Sequence, residues 1–280
     1  MRIHSKYMRF PGGLKKAVTL SYDDGVEQDL TLIELLKKYR MRATFNVSSG
    51  WLSEEGTVYP EGETHRRMSV SQCIKGYDLS VCEVAAHADT HPWIDTLTPA
   101  MMMNEVVEDR KRLEDMFGII IKGMAYPYGV YNDTVVDVLR LAGIRYCRTV
   151  HSTRMFDIPE DWLRLNPTCH HDDEELFHLT DTFLKEEVEQ RPQMFYLWGH
   201  TFEFERNDNW NRIEEFMQKV SGREDIWYAA NIEIYEYTKA YEALEFSVDG
   251  SRIYNPTAID VYLEINGKQL MVPAGGEITN

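Results

Sequence analysis

A (β/α) barrel is the fold class that the sequence predicts, on three observations. The chain has 280 residues, enough for one large core and a length at which α/β barrels form a single domain. From residue 17 to about residue 240, short β-branched and aromatic runs alternate with helical patterns, as βαβ units in a mainly parallel sheet require. Seven or eight strands, each followed by a helix, suit a barrel; a doubly wound open sheet gives the same alternation.

The strands are read, in order, at "AVTLSY", "RATFNV", "EVAAHA", "IIKGMAYP", "IRYCRTV", "RLNPTC", "MFYLWGH" and "IWYAAN". Helical periodicity lies between them at "DLTLIELLKKY", "TPAMMMNEVVEDRKRLEDMFG", "NDTVVDVLRLAG", "DDEELFHLTDTFLKEEVEQ" and "NWNRIEEFMQKVSG". The second helix opens with Thr98 before Pro99, a cap and a first-turn proline, and closes on Gly118. Residues 56–69, "GTVYPEGETHRRMS", break the rhythm and predict a long loop of the kind that shapes a substrate cleft. After residue 244 the pattern becomes turn-rich, and "DVYLEINGKQLMV" predicts a hairpin. The expected division is therefore a barrel over residues 1–244 and a small C-terminal β appendage over residues 245–280.

Charge and composition remove several functions. With 30 basic and 46 acidic residues the formal net charge is −16, which disfavours nucleic acid and anionic membrane surfaces as partners. No run reaches the roughly 18 apolar residues of a membrane span, and "MRIHSKYMRFPGG" lacks the apolar centre of a signal peptide, so a cytoplasmic location is expected. Cys73, Cys82, Cys147 and Cys169 have no CxxC spacing and are expected to be free core residues. An exposed edge strand in the appendage would be compatible with a homo-oligomer.

The chemistry is expected at the carboxyl ends of the strands, where four features fall. Asp23 and Asp24 stand together where the first strand stops, and Gly25 permits a turn that aims both outward. Adjacent carboxylates need a compensating charge. His87 and His91, four apart in "HADTH", would share one face of a helical turn, and neutral imidazole is a common ligand of divalent metals. With Asp24 they form a three-ligand site that leaves Asp23 ionised beside the cation as a base. In "AYPYG", Pro127 and Gly129 bracket Tyr128 in a rigid turn that can present its backbone N–H to an oxyanion. His200, at the end of "MFYLWGH", can serve as general acid. Taken singly, these residues read equally well as a solvated turn, surface histidines, a strand-to-helix turn and a structural histidine.

In their order the four pieces resemble the polysaccharide deacetylase family, the carbohydrate esterases that share the NodB homology domain. Its T-F-D-D-G motif stands here as "SYDDG", H-[S/T]-x-x-H as "HADTH", R-x-P-Y-G as "AYPYG" and L-x-x-H as "LWGH", over residues 21–200. The resemblance implies a distorted (β/α) barrel and metal-dependent removal of acetyl from an N-acetylated sugar. It implies Asp23 as base, Asp24, His87 and His91 as metal ligands, Tyr128 as backbone oxyanion donor and His200 as acid. Zinc is the first candidate, and the same ligands accept cobalt, iron or manganese.

Three positions depart from the family pattern. Ala88 replaces a Ser or Thr, and Ala125 stands where the family places an arginine that pairs with the catalytic aspartate. Arg148, at the end of the next strand, is the candidate replacement. The fourth motif, Asp-x-x-Asp-Trp, has only "DIPEDW", with Asp157, Asp161 and Trp162 at another spacing; Glu203 and the "CHHDD" cluster at 169–173 are alternative partners for His200. The alternatives to sugar deacetylation are hydrolysis of a small non-sugar amide and a non-catalytic carbohydrate-binding protein on the same fold.

Overall fold

The computed structural model describes residues 3–280. Its strands are β1 (Lys6–Arg9), β2 (Lys16–Asp23), β3 (Ala43–Val47), β4 (Cys82–Ala86), β5 (Gly123–Ala125), β6 (Tyr146–Arg148), β7 (Cys169–His170), β8 (Gln193–Gly199), β9 (Ile226–Tyr228), β10 (Glu245–Phe246), β11 (Arg252–Tyr254), β12 (Val261–Ile265), β13 (Lys268–Val272) and β14 (Glu277–Thr279). Its helices are α1 (Asp29–Tyr39), α2 (Val70–Gly76), α3 (Pro99–Phe117), α4 (Asp133–Leu141), α5 (Leu176–Lys185), α6 (Thr201–Arg206), α7 (Trp210–Val220) and α8 (Asn231–Glu242).

The central sheet runs β6-β5-β4-β3-β2-β8-β7, with β9 beside the start of β2. Every pairing in it is parallel. The segment 165–171 closes the ring: Leu165 N–H donates to the Cys147 carbonyl at 3.0 Å, and Thr168 N–H to the Tyr196 carbonyl at 2.8 Å. The result is a distorted (β/α) barrel whose seam is thin, because β7 is two residues long.

Period-two alternation on β2 explains both faces. Val18, Leu20 and Tyr22 pack outward with Leu32, Leu36 and Phe204 of the helices. Ala17, Thr19, Ser21 and Asp23 face the interior, where polar groups are paired: Thr19 Oγ1 donates to Asn231 Oδ1 at 2.8 Å, and Asn46 Nδ2 to Ser21 Oγ at 2.8 Å. This paired polar interior is the floor on which the site stands.

Each predicted barrel strand and helix has a counterpart, with shorter bounds at β5, β6, β7, β9 and α5. Helices α2, α6 and α8 were not anticipated. All four cysteines are free and buried. Among the described residues no helix is long and apolar enough to cross a membrane. In the C-terminal segment β12 and β13 form a hairpin around Asn266-Gly267, both at positive φ as a two-residue turn needs. The hairpin's other edge pairs with β1, so residues 6–9 belong to the same small sheet.

Candidate active site

Asp23 ends the inward-facing row of β2, and strand alternation alone would turn Asp24 to the opposite face. Backbone geometry redirects it: Asp24 has φ 87° and Gly25 φ 67°. The left-handed region is uncommon for a non-glycine residue and marks a built-in turn. Both carboxylates consequently line one pocket of about 380 Å³ with His65, Arg67, His87, His91, Tyr128 and His200.

Asp23 is buried. Its Oδ1 accepts from Asn46 Nδ2 at 2.8 Å, and its Oδ2 pairs with Arg148, whose guanidinium lies over the Trp198 ring at 4.1 Å. Burial pushes this carboxyl up, but Arg148, followed by His87 and His200, outweighs burial and holds its pKa below the usual value. The same balance, led by burial and overturned by His65 and nearby cations, lowers Asp24.

The histidine pair is set by a loop. A helical turn at "HADTH" is replaced by an irregular connection in which Ala88 has φ 60° and His91 φ 50°. Asp109 on α3 holds this loop from below, accepting from His87 N–H at 2.8 Å through one oxygen and from Ser49 N–H at 2.8 Å through the other. His87 Nδ1 meets the Ala125 carbonyl at 2.8 Å, which fixes the tautomer and leaves Nε2 with a free lone pair. That Nε2 lies 4.0 Å from Asp24 Oδ1, and His91 Nε2 lies 3.8 Å from it. Burial lowers the pKa of both imidazoles, His91 to about 4, so both are neutral near pH 7. Asp24 Oδ1 is buried without a hydrogen-bond partner. Two neutral nitrogens and a carboxylate oxygen that accepts no hydrogen bond, all within 4.8 Å of one another, are the donor set of a divalent cation.

A second group, His170, His171, Asp172 and Glu203, is similarly clustered. It suits hydrogen bonding better than a metal: His170 Nδ1 accepts from Asp172 N–H at 3.1 Å, so in the neutral ring the proton sits on Nε2 and faces Glu203 at 3.2 Å.

His200 follows β8 and Gly199, at which any Cβ would stand 2.1 Å from His171 Nδ1. Its Nε2 is 3.9 Å from Asp23 Oδ2, and its Nδ1 is 3.3 Å from Glu203 Oε2. Burial lowers the His200 pKa, but Glu203, Asp23 and Asp24 reverse this and raise it above the ordinary value. Tyr128 has φ 55°. The turn's hydrogen bonds run from Gly129 to Tyr126 and from Val130 to Pro127, at 2.9 and 3.2 Å, which leaves the Tyr128 N–H out of them.

The polysaccharide deacetylase family model matches residues 7–147, half of the chain. The chain belongs to the polysaccharide deacetylase family. Among curated relatives, the peptidoglycan-N-acetylglucosamine deacetylase PgdA of Listeria monocytogenes is 25% identical over 134 residues, covering 47% of this chain and 25% of the relative. The poly-β-1,6-N-acetyl-D-glucosamine N-deacetylase of Staphylococcus aureus is 26% identical over 155 residues, covering 51% and 50%. The chain thus spans between a quarter and half of the length of these relatives. A solved structure from Mycobacterium smegmatis, assigned as a polysaccharide deacetylase, superposes with a TM-score of 0.57 at 15% identity, covering 86% of this chain and 96% of the other, and shares the fold.

Against the pattern of the polysaccharide deacetylases, two departures find a physical replacement. Arg148 is the cross-strand partner of Ala125 and delivers a guanidinium to Asp23 from the neighbouring strand. Glu203, in the first turn of α6, approaches His200 where the fourth-motif aspartate is missing. "DIPEDW" lies elsewhere: Asp161 caps its own turn through Leu163 N–H at 3.0 Å and pairs with Arg164. His65, Arg67, Asn46 and Asp109 were not anticipated as site residues. The loop 56–69 was expected to shape the cleft, and it carries His65 and Arg67 into it.

Proposed function

We propose that this polysaccharide deacetylase family member is a metal-dependent hydrolase that removes acetyl from an N-acetylated sugar. The observation that carries the reading is the buried Oδ1 of Asp24, without a hydrogen-bond partner, beside the bare Nε2 atoms of His87 and His91, with Asp23 adjoining. A divalent cation held by these three would polarise the acetyl carbonyl and acidify a water; zinc is the first candidate, and cobalt, iron and manganese accept the same donors.

The chain's own groups supply the proton transfers. Asp23, kept ionised by Arg148, accepts the proton of the attacking water at its Oδ2. The Tyr128 N–H, free of the turn's own hydrogen bonds, stabilises the oxyanion that develops on the carbonyl. His200, with its pKa raised and its Nε2 3.9 Å from Asp23, delivers a proton to the departing nitrogen, because an amine anion is too basic to leave. Trp93 and Tyr128, stacked at 4.4 Å and half-exposed at the rim, offer the flat apolar face that a sugar ring needs. The relatives' names support an N-acetylated glucosamine unit as substrate.

Chelator-treated protein should release acetate from N-acetylglucosamine oligomers only after zinc, cobalt or manganese is restored. Asp23→Asn should keep its metal and lose about 10²–10⁴-fold in rate, the range a positioned base contributes. Turnover of a ureide or imide with no acetate from any sugar would remove the sugar assignment. Failure on every amide would leave a carbohydrate-binding protein.

A further inference from the structure

We infer that the substrate carries a carboxylate as well as its acetamide, and that Arg67 is the residue that recognises it; this rests on the deacetylase reading above. Arg67 and Arg66 leave the same loop with different fates. Arg66 is locked outside the pocket by Glu27 at 2.8 Å and by both oxygens of Glu205 at 2.6 and 2.9 Å. Arg67 lines the pocket, its side chain only 12% exposed. Its guanidinium lies 4.6 Å over the Trp51 ring, and Trp51 stacks in turn on His91 at 5.5 Å. Its backbone is fixed by a bridge to Val26 and by the Tyr59 hydroxyl, which donates to its carbonyl at 2.8 Å.

The charge inventory gives Arg67 its role. Asp23 is matched by Arg148. Asp24 is approached by Arg67 at 3.6 Å and by His65 at 3.1 Å. A divalent cation on Asp24, His87 and His91 adds two positive charges. The hydroxide or oxyanion of the reaction offsets one of them, and the guanidinium of Arg67 is then left without a counter-charge. A mostly buried cation of that kind requires a partner. The rest of a chain with net charge −16 makes this local positive excess an exception. Apart from contacts to the Asp24 carbonyl at 3.3 Å and to Asp24 Oδ1 at 3.6 Å, the Arg67 fork has donors left for the planar, two-pronged partner it fits best, a carboxylate. A pocket of about 380 Å³ lies at the low end for small-ligand sites and fits one sugar ring with a short acidic arm.

The test is calorimetry on metal-loaded protein carrying His200→Gln, which lacks the acid and so does not consume the ligand. N-acetylmuramic acid or N-acetylglucosaminuronic acid should bind about tenfold more tightly than N-acetylglucosamine, the order expected of a charge-assisted pair. Adding Arg67→Met should abolish the difference while metal content, measured by elemental analysis, stays unchanged. If that variant also loses metal, Arg67→Gln, which keeps N–H donors but no charge, decides in its place and should lose the preference. Equal affinities for all three sugars, or a preference that survives loss of the charge at Arg67, overturns the inference. Wild-type release of acetate from neutral and acidic sugars at equal kcat/KM also overturns it, while the deacetylase reading stands. Preferential binding of the acids with no acetate from any of them retains the anion subsite and removes the deacetylase reading.

Discussion

Arg148 stands directly opposite Ala125 across the parallel β5–β6 ladder, and its guanidinium pairs with the buried carboxylate of Asp23. The positive charge that the family places at position 125 therefore comes from one strand further round the barrel. What the site needs is a cation at Asp23, and two neighbouring strand ends can each supply it.

Arg148→Ala leaves Asp23 buried without its main counter-charge. Removing one partner of a buried pair costs about 3–5 kcal/mol, so the variant should unfold at markedly lower denaturant concentration. Its Asp23 pKa should rise, and kcat should fall most at acidic pH. Because positions 125 and 148 are cross-strand partners, Ala125→Arg in the Arg148→Ala background should recover about tenfold of the lost kcat, a coupling between contacting sites. If the double variant is as inactive as Arg148→Ala, the equivalence of the two positions is wrong.

Glu203 is expected to set the alkaline limb of the rate profile. A proton donor must be protonated, so activity should fall as pH rises through the raised pKa of His200. Glu203→Gln removes the carboxylate that does most to raise it, and the limb should move to lower pH. The loss should grow with pH and be larger at pH 8 than near pH 6. A uniform drop in kcat at every pH would mean that Glu203 only shapes the loop.

The metal half of the site was legible because its signals are local: two carboxylates at a strand end, two histidines four apart, and apolar runs that mark the strands beneath them. Residues brought in by tertiary packing were not. Asp109 sits in a helical pattern where an acidic residue reads as solvated, yet it is fully buried and holds the His87 loop. Residues 56–69 have no periodicity, so nothing in them indicated that His65 and Arg67 would fold back over Asp24. Helix α8 was hidden by "NIEIYEY", whose β-branched and aromatic residues favour a strand. Packing decided otherwise, with Ile234 and Tyr237 buried in a core with Phe10, Tyr146 and Trp162, and Asn231 hydrogen-bonded to Tyr196.

Above about pH 6.5 the pH dependence of stability should be set by three other buried carboxyls. Burial pushes Asp29, Glu83 and Asp109 up to about 7 each. With folded pKa values above those of the unfolded chain, the native state binds more protons between about pH 4 and pH 7, and unfolding free energy falls as pH rises across that window. Asp23 and Asp24 act in the opposite sense: their lowered pKa values contribute stability that is lost only as pH falls below the ordinary carboxylate range. His87 and His91, whose pKa values burial lowers, also oppose the carboxyls below about pH 6.5, so the decline due to the carboxyls should stand clear above that pH. Melting temperature measured from pH 4 to pH 8.5 should decline from about pH 6.5 upward, and Asp109→Asn, which removes one titrating group, should flatten that decline. A melting temperature that rises from pH 6.5 to pH 8, or an Asp109→Asn profile parallel to that of the wild type, would show that these carboxyls are ionised without cost in the folded barrel.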